Sequence, residues 1–249
     1  MKELDSREYQ CPLRTEKVTQ ADTFLPALCD FVESLHPGVK FPDRKAKEVK
    51  YSESFYDVAG RTFSGKGYRL RARRSPKKTR CAYKAVAVDR YLVQDAAVLS
   101  AISGAETRFE ENVYPMSSLY CRQTSVDADK AFQPSTVEDW AGLFPGARQI
   151  CAQTEPLQVI ERRFIHRLDG FEMELGTHKV EPCLEYKYAD EGMTQLQSVE
   201  FSWRYQRSSE SEFDPADILT MRQLLKALSA SDWCAVVMPG SAEMMASLW

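Results

Sequence analysis

The spacing of apolar residues divides the chain into helical and extended segments. In ADTFLPALCDFVESL, residues 21–35, Phe24, Leu25, Leu28, Phe31, Val32 and Leu35 recur every three or four positions, which predicts a helix ended by Pro37 and Gly38. KEVKYSESFYDV, residues 47–58, mixes β-branched and aromatic residues with polar ones and predicts a strand. Gly60, Gly65 and Gly67 then make a loop. From Tyr68 the period is two, with Tyr68, Leu70 and Ala72 alternating with Arg69, Arg71 and Arg73. SPKK, residues 75–78, is a turn, and RCAYKAV sets Arg80, Ala82 and Lys84 against Cys81, Tyr83 and Ala85. The two runs predict a hairpin with one strongly basic face.

The middle of the chain, residues 91–155, carries weaker patterns. DAAVLSAI predicts a short helix, RFEENVYP and LYCRQTSV predict strands, and STVEDWAGLF predicts a helix with Ser135 or Thr136 as its N-cap. Alternation returns in LQVIERRFIHRL, where Glu161, Arg163 and Arg167 share one face, and in FEMEL, where Glu172 and Glu174 oppose Phe171, Met173 and Leu175. CLEYKY sets Glu185 and Lys187 against Leu184, Tyr186 and Tyr188. SVEFSWRYQ sets Ser198, Glu200, Ser202 and Arg204 against Val199, Phe201, Trp203 and Tyr205. DPADILTMRQLLKALSAS predicts a last helix with Asp214 as N-cap and Pro215 at its first position, and the apolar tail WCAVVMPGSAEMMASLW is expected to pack back.

Strands with large apolar residues on one side and charges on the other have both faces specified. A closed barrel meets that demand: its apolar side packs under helices, and its polar side lines a hydrated interior holding cations and carboxylates together. Converging guanidiniums suit a polyphosphate, and carboxylates opposite them suit a divalent cation shared with the phosphates.

Composition narrows the partners. A net charge of -3 and 43% apolar residues describe an ordinary globular chain, and argue against bulk binding to duplex DNA. The length of 249 residues suits a single domain, with 91–155 as an insertion whose role the pattern leaves open. Seven scattered cysteines without a C-x-x-C pair favour reduced thiols, and His36, His166 and His178 are too dispersed for a histidine metal centre. There is no apolar leader and no run long enough for a membrane span, so a cytoplasmic or nuclear location is expected. GKG at 65–67 lacks the spacing of a P-loop.

The order of these features resembles a known family. FYDVAGRTFSGKGYRLRARR is similar to the Tyr-Tyr-Asp-Thr and Leu-Arg-x-Arg signature of the CYTH domain, the triphosphate tunnel metalloenzymes, with Val58 in place of Thr. RCAYKAV resembles the Lys-bearing strand that follows. ERRFIHRLDGFEMELGTHKV and SVEFSW resemble the later basic, acidic and closing Glu-x-Glu strands, and are also similar to those of fungal and protist messenger-RNA capping triphosphatases. The resemblance covers about residues 8–90 and 157–228.

It implies an eight-stranded antiparallel β-barrel with helices outside, in an α+β fold. It also implies cleavage of tripolyphosphate, nucleoside triphosphate, thiamine triphosphate or an RNA 5′-triphosphate end, or cyclisation of ATP. Carried over by position, Arg69, Arg71, Lys84 and Arg163 hold phosphate with Arg73 on the same face, and Glu174 and Glu200 hold Mg²⁺ or Mn²⁺ as the catalytic carboxylates. The departures lie in the acidic positions. EYQCPLR offers Gln10, Pro12 and Arg14 where the family has Glu-x-Glu-x-Lys, and Glu8 joins them only by a shift of register. Ser198 takes the first position of the closing pair, and Gly176 stands where a second acid is often found; Glu172, Glu185 or Asp89 are the available substitutes. Two functions therefore remain open: a metal-dependent triphosphate hydrolase, or a CYTH-like module that binds phosphate or protein without a metal wall. A solvated basic face with no ligand is the third and plainest.

Overall fold

A computed structural model of the chain describes residues 3–18, 21–151, 154–176, 178–207 and 213–235. Its strands are β1 (Ser6–Leu13), β2 (Val39–Lys40), β3 (Lys47–Asp57), β4 (Tyr68–Arg74), β5 (Thr79–Ala87), β6 (Glu106–Val113), β7 (Ser118–Ala128), β8 (Gln158–Asp169), β9 (Met173–Leu175), β10 (His178–Tyr188) and β11 (Leu196–Gln206). The helices are α1 (Ala21–Leu35), α2 (Thr62–Gly65), α3 (Arg90–Val93), α4 (Val137–Leu143) and α5 (Pro215–Ser229).

Hydrogen bonds link nine of the strands in the cyclic order β11-β1-β6-β7-β5-β4-β3-β8-β10, with β10 pairing back to β11. β9 and β2 extend from the start of β10. The ladder is thus a closed, mixed β-barrel of nine strands, which corrects the expected eight antiparallel ones. The difference comes from the middle of the chain. There β6 and β7 enter the ring between β1 and β5, while FEMEL makes only the three-residue β9 outside it.

The chain divides into two compact units. Unit 1 holds the residues up to 5, Lys50–Glu111 and Leu119–Phe164; unit 2 holds Ser6–Val49, Asn112–Ser118 and the residues from 165 on. In unit 1 the apolar sides of β4 and β5 put Leu70, Ala72, Cys81 and Tyr83 into a core with Phe63, Trp140 and Phe144. The aromatic rings meet face and edge: Trp140 stacks on Phe144 at 5.7 Å between centroids, and Phe63 meets Tyr83 edge-on at 6.4 Å. In unit 2 the alternating residues Tyr9, Cys11 and Leu13 of β1 and Val199, Phe201, Trp203 and Tyr205 of β11 pack under α1 and α5. Phe24, Leu28 and Val32 of α1, with Leu224, Leu225 and Leu228 of α5, supply the helical stripes.

Most predicted elements appear where the pattern puts them, including α1, the basic hairpin and α5. Thr136 is the N-cap of α4 in a reciprocal capping box with Asp139, and Asp214 caps α5 by accepting from Ala216 N at 2.8 Å. DAAVLSAI is not helical. The Asp89 carboxylate accepts from Tyr91 N at 2.8 Å and starts the short α3 five residues earlier, after which Ala96 and Val98 are buried in irregular chain. The tail beyond residue 235 lies outside the described residues. None of the seven cysteines forms a disulfide and all are buried, the nearest pair being Cys11 and Cys234 with sulfurs 3.5 Å apart. Each histidine has a local partner, which fits a structural role: His36 Nδ1 accepts from Gly38 N, His166 meets Glu48 at 3.2 Å, and His178 meets Asp217 at 2.9 Å. Among the described residues no helix is long and apolar enough to cross a membrane.

Candidate functional site

In unit 1 the strand registers decide which charges meet. β4 and β5 pair so that Arg69 is directly opposite Lys84, Arg71 opposite Ala82, and Arg73 opposite Arg80. On its other edge β4 pairs with β3, which sets Phe55 opposite Arg71 and Glu53 opposite Arg73. Directly opposite side chains in a ladder project to the same face, so Arg69, Arg71, Arg73 and Lys84 share one face with Glu53 and Phe55. Arg163 of β8 joins them: its guanidinium lies over the Phe55 ring, 5.3 Å from the centroid, and its Nε donates to Glu161. All five residues expected to hold phosphate are therefore brought together.

Carboxylates meet these cations. Glu53 is buried and accepts from Arg73 Nε at 2.5 Å, with Arg71 at 3.4 Å. Glu110 of β6 meets Gln123 at 3.5 Å. Arg80, directly opposite Arg73, is paired with Glu106 and Asp127. The electrostatic result is visible at Lys84: burial, then the neighbouring Arg71, lowers its ammonium to about 8, with Arg73 adding to the effect and Glu110 opposing it.

Asp57 and the chain after it position this face. The Asp57 carboxylate is buried at the end of β3 and accepts from the backbone N–H of Val58, Phe63 and Ser64 and from the Ser64 hydroxyl, at 2.7 to 3.0 Å. Those bonds fold α2 and return the chain at Gly67 into β4. Gly67 needs its positive φ of 77°, and a Cβ there would stand 2.8 Å from Val86 O.

Unit 2 carries the carboxylates. β1 and β11 pair with Glu8 opposite Arg204, Gln10 opposite Ser202 and Pro12 opposite Glu200, so Glu8 shares the face of Gln10 and Pro12 but stands four residues from the position opposite Glu200. Arg14 lies past the end of the strand and donates to Cys234 O instead. β10 and β11 place Glu185 directly opposite Glu200. Each of these three carboxylates has a basic partner: Glu8 with Arg204 at 2.9 Å, Glu185 with Arg167 at 3.5 Å, and Glu200 with Lys187 at 3.2 Å. Glu200 is raised above the usual glutamate range, first by burial, and then by Glu185 and Glu8 against the attraction of Lys187. A cavity of about 390 Å³ lies beside Glu8, Arg167, Cys183 and Arg204.

The register separates Glu174 from this group. It sits on β9 with Lys179 and Lys40 as its cross-strand partners, whereas the partners of Glu200 are Glu185 and Pro12. Glu172 is exposed and ion-paired with Lys179 at 3.3 Å, and Asp89 is the cap of α3, so neither substitutes for a lost acid. Among the described residues no three His, Cys, Asp or Glu side chains are grouped as metal ligands.

No family model matches the chain, and no curated protein matches it significantly. Among solved structures, a protein from Hippeastrum called "Putative adenylyl cyclase HpAC1", for which a dominant triphosphatase activity is described, is similar over 93% of this chain and 91% of its own. The identity is 11% and the TM-score 0.50. The chain has the CYTH-type fold. Proteins from Bacillus halodurans and Vibrio parahaemolyticus, given the same kind of cyclase name, are similar at lower TM-scores. The first is 11% identical over 95% of this chain and 97% of its own, with a TM-score of 0.47; the second is 14% identical over 96% and 97%, with 0.39. Arg69, Arg71, Arg73 and Lys84 share a face of one hairpin, whereas Glu174 and Glu200 lie in different strand pairings.

Several members of both faces escaped the sequence pattern. Glu53 was legible as a residue of the alternating run Tyr51, Glu53, Phe55, Asp57, but nothing in the run indicated that Arg71 and Arg73 would close on it. The partnering of Glu8 by Arg204 and of Glu185 by Arg167 depends on register between strands far apart in sequence.

Proposed function

We propose that the chain binds the triphosphate group of a small molecule or an RNA 5′ end on the basic face of unit 1, through Arg69, Arg71, Arg73, Lys84 and Arg163. The observation that carries this reading is the direct opposition of Arg69 and Lys84, with Arg71 and Arg73 on the same face. Like charges placed directly opposite across a ladder cost stability, and an anion with several oxygens repays that cost through charge-assisted hydrogen bonds. Planar guanidiniums on one face of β4 suit an anion with several oxygens, which they can grip through paired hydrogen bonds.

A second reading is hydrolysis, supported by the Hippeastrum protein of the same fold with its described triphosphatase activity. In such a reaction water attacks the terminal phosphorus and the bridging P–O bond breaks. The arginines offset the charge that appears on the leaving oxygen. Glu174 and Glu200 do not fit as joint ligands of a resident Mg²⁺ or Mn²⁺: one faces two lysines across β9, and the other already holds the Lys187 ammonium. A divalent ion that arrives with the triphosphate belongs to the substrate.

Phosphate release from tripolyphosphate, ATP, thiamine triphosphate and 5′-triphosphate RNA, each with Mg²⁺, with Mn²⁺ and with EDTA, separates the readings. Release that Arg71→Ala abolishes establishes hydrolysis. Binding of tripolyphosphate without release under every condition leaves the chain a triphosphate-binding module, and absence of binding rejects both.

A further inference from the structure

We propose that Cys11 and Cys234 form a peroxide-reactive dithiol in unit 2, oxidised to a disulfide that fastens the segment after α5 to β1. The proposal concerns unit 2 alone and stands whether or not unit 1 holds a triphosphate.

The two thiols come from positions 223 residues apart in the chain, and their sulfurs meet at 3.5 Å. Backbone pairing holds them there. Leu13 and Cys234 form an antiparallel bridge, flanked by Arg14 N to Trp233 O at 2.9 Å and Ala235 N to Pro12 O at 3.0 Å. Cys11 lies two residues from Leu13 on β1 and so projects to the same side as Cys234. Trp233 anchors the segment to α1, stacking on Phe31 at 4.7 Å and on Phe24 at 5.7 Å between centroids. Because a disulfide holds its sulfurs about 2.05 Å apart, the pair has about 1.5 Å left to close.

The contact is polarised. The Cys11 thiol donates to Cys234 Sγ, and that bond, with the nearby Arg14 guanidinium, lowers the Cys234 thiol below the usual cysteine range although burial opposes it. The same bond, together with burial, raises Cys11 well above that range. Burial likewise raises Cys29, Cys81, Cys121 and Cys183. Cys234 is therefore the thiolate that attacks, and Cys11 the thiol that resolves. Attack of the Cys234 sulfur on a peroxide oxygen breaks the O–O bond, leaves a sulfenic acid on Cys234 and releases hydroxide. The Cys11 sulfur then attacks the sulfenic sulfur; the S–S bond forms, the S–O bond breaks, and the Cys11 proton leaves with the hydroxyl group as water. Two electrons pass from the two sulfurs to the peroxide.

Cys11 is 0% and Cys234 3% exposed, so access requires the bridge to open. Parting the two backbone bonds that flank it admits a molecule as small as hydrogen peroxide, while the ladder between β1 and β11 stays intact. Once the disulfide forms, that opening is closed.

The experiment treats the full-length protein with hydrogen peroxide, alkylates the remaining thiols and reads a non-reducing digest by mass spectrometry. A peptide carrying Cys11 joined to one carrying Cys234, two hydrogens lighter than their sum and separated by dithiothreitol, is the expected main product. The oxidised protein should melt roughly 5–15 °C above the reduced one, as expected for cross-linking a long loop. In Cys11→Ser, dimedone should label Cys234, whose sulfenic acid then lacks a partner, whereas Cys234→Ser should leave Cys11 unlabelled. Should either variant fold poorly, the wild-type digest decides alone. Cys11 and Cys234 both alkylated after peroxide treatment of the folded wild type, or joined to other cysteines instead of to each other, would overturn the proposal.

Discussion

Arg69 and Lys84 stand directly opposite each other across β4 and β5, on the face that also carries Arg71 and Arg73. Two cations in facing positions are a cost to the empty protein and an advantage once an anion lies between them. In unit 2 the directly opposite like charges are Glu185 and Glu200, and Lys187 reaches Glu200 at 3.2 Å.

Tripolyphosphate affinity should be flat below about pH 7 and fall above about pH 8, where Lys84 loses its proton. The fall approaches about tenfold per pH unit once the required proton is lost. Because the bound anion favours the charged lysine, titration calorimetry near pH 8 in buffers of different ionisation enthalpy should show proton uptake. Lys84→Gln should bind more weakly at neutral pH and lose the pH dependence; a pH profile unchanged by Lys84→Gln contradicts this role. The same shift has a sign for stability. The folded state binds fewer protons than the unfolded between about 8 and the ordinary 10.5, so the Lys84 contribution to stability rises with pH across that window.

Glu200 predicts the opposite slope. Its pKa is raised on folding, so its ionisation costs stability above the folded pKa, and that cost disappears as pH falls towards the ordinary 4.5. Glu200→Gln mimics the protonated acid. Its melting temperature should exceed that of wild type at neutral pH, and the difference should shrink as pH approaches about 4.5. A difference that is constant or reversed over that range contradicts the buried, carboxylate-crowded site.

Asp57→Ala should destabilise unit 1 by about 3 kcal/mol, because the buried N–H groups of Val58 and Phe63 and the half-buried N–H and hydroxyl of Ser64 lose a charged acceptor. Thermal or urea unfolding measures it. Asp57→Asn, which retains one oxygen, should lose less, and equal losses would mean that the bonds to the carboxylate contribute little.

Gly67→Ala tests the entry to the basic strand. The left-handed φ and the approach of a Cβ to Val86 O both oppose the methyl group, and together they should cost about 1–3 kcal/mol. If the carbonyl gives way, β4 shifts and the affinity for tripolyphosphate falls along with the melting temperature. A variant as stable as wild type and equally able to bind would show that the turn is plastic.

The elements were legible in the sequence wherever a period persisted. Tyr68, Leu70 and Ala72 against Arg69, Arg71 and Arg73 fix a strand and its two faces without reference to anything else, and Phe24 to Leu35 fix α1 equally well. What was not legible follows from pairing. The strand count depended on β6 and β7, whose neighbours in the ring lie far along the chain, and no local pattern announces a partner strand. The two faces differ in the same way. The basic face of unit 1 lies largely on one hairpin, where alternation and a tight turn set the register, so that Arg69, Arg71, Arg73 and Lys84 share a side was legible. The carboxylate face of unit 2 is assembled from β1, β8, β10 and β11. Whether Glu8 faces Arg204, or Glu200 meets Lys187, is decided by registers that no single segment specifies. Glu174 illustrates the limit: its alternation with Met173 and Leu175 is real, but β9 pairs with β2 and the start of β10 rather than with β11.

The central claim, that the basic face of unit 1 holds a triphosphate, is tested most directly by isothermal titration of tripolyphosphate into the wild-type protein and Arg71→Ala in the presence of EDTA. Saturable binding by wild type is expected, weakened in Arg71→Ala by about 1.5–3 kcal/mol, or roughly 10- to 150-fold, the worth of a hydrogen bond to a charged group. No binding by folded wild type, or binding that Arg71→Ala leaves unchanged, would contradict it.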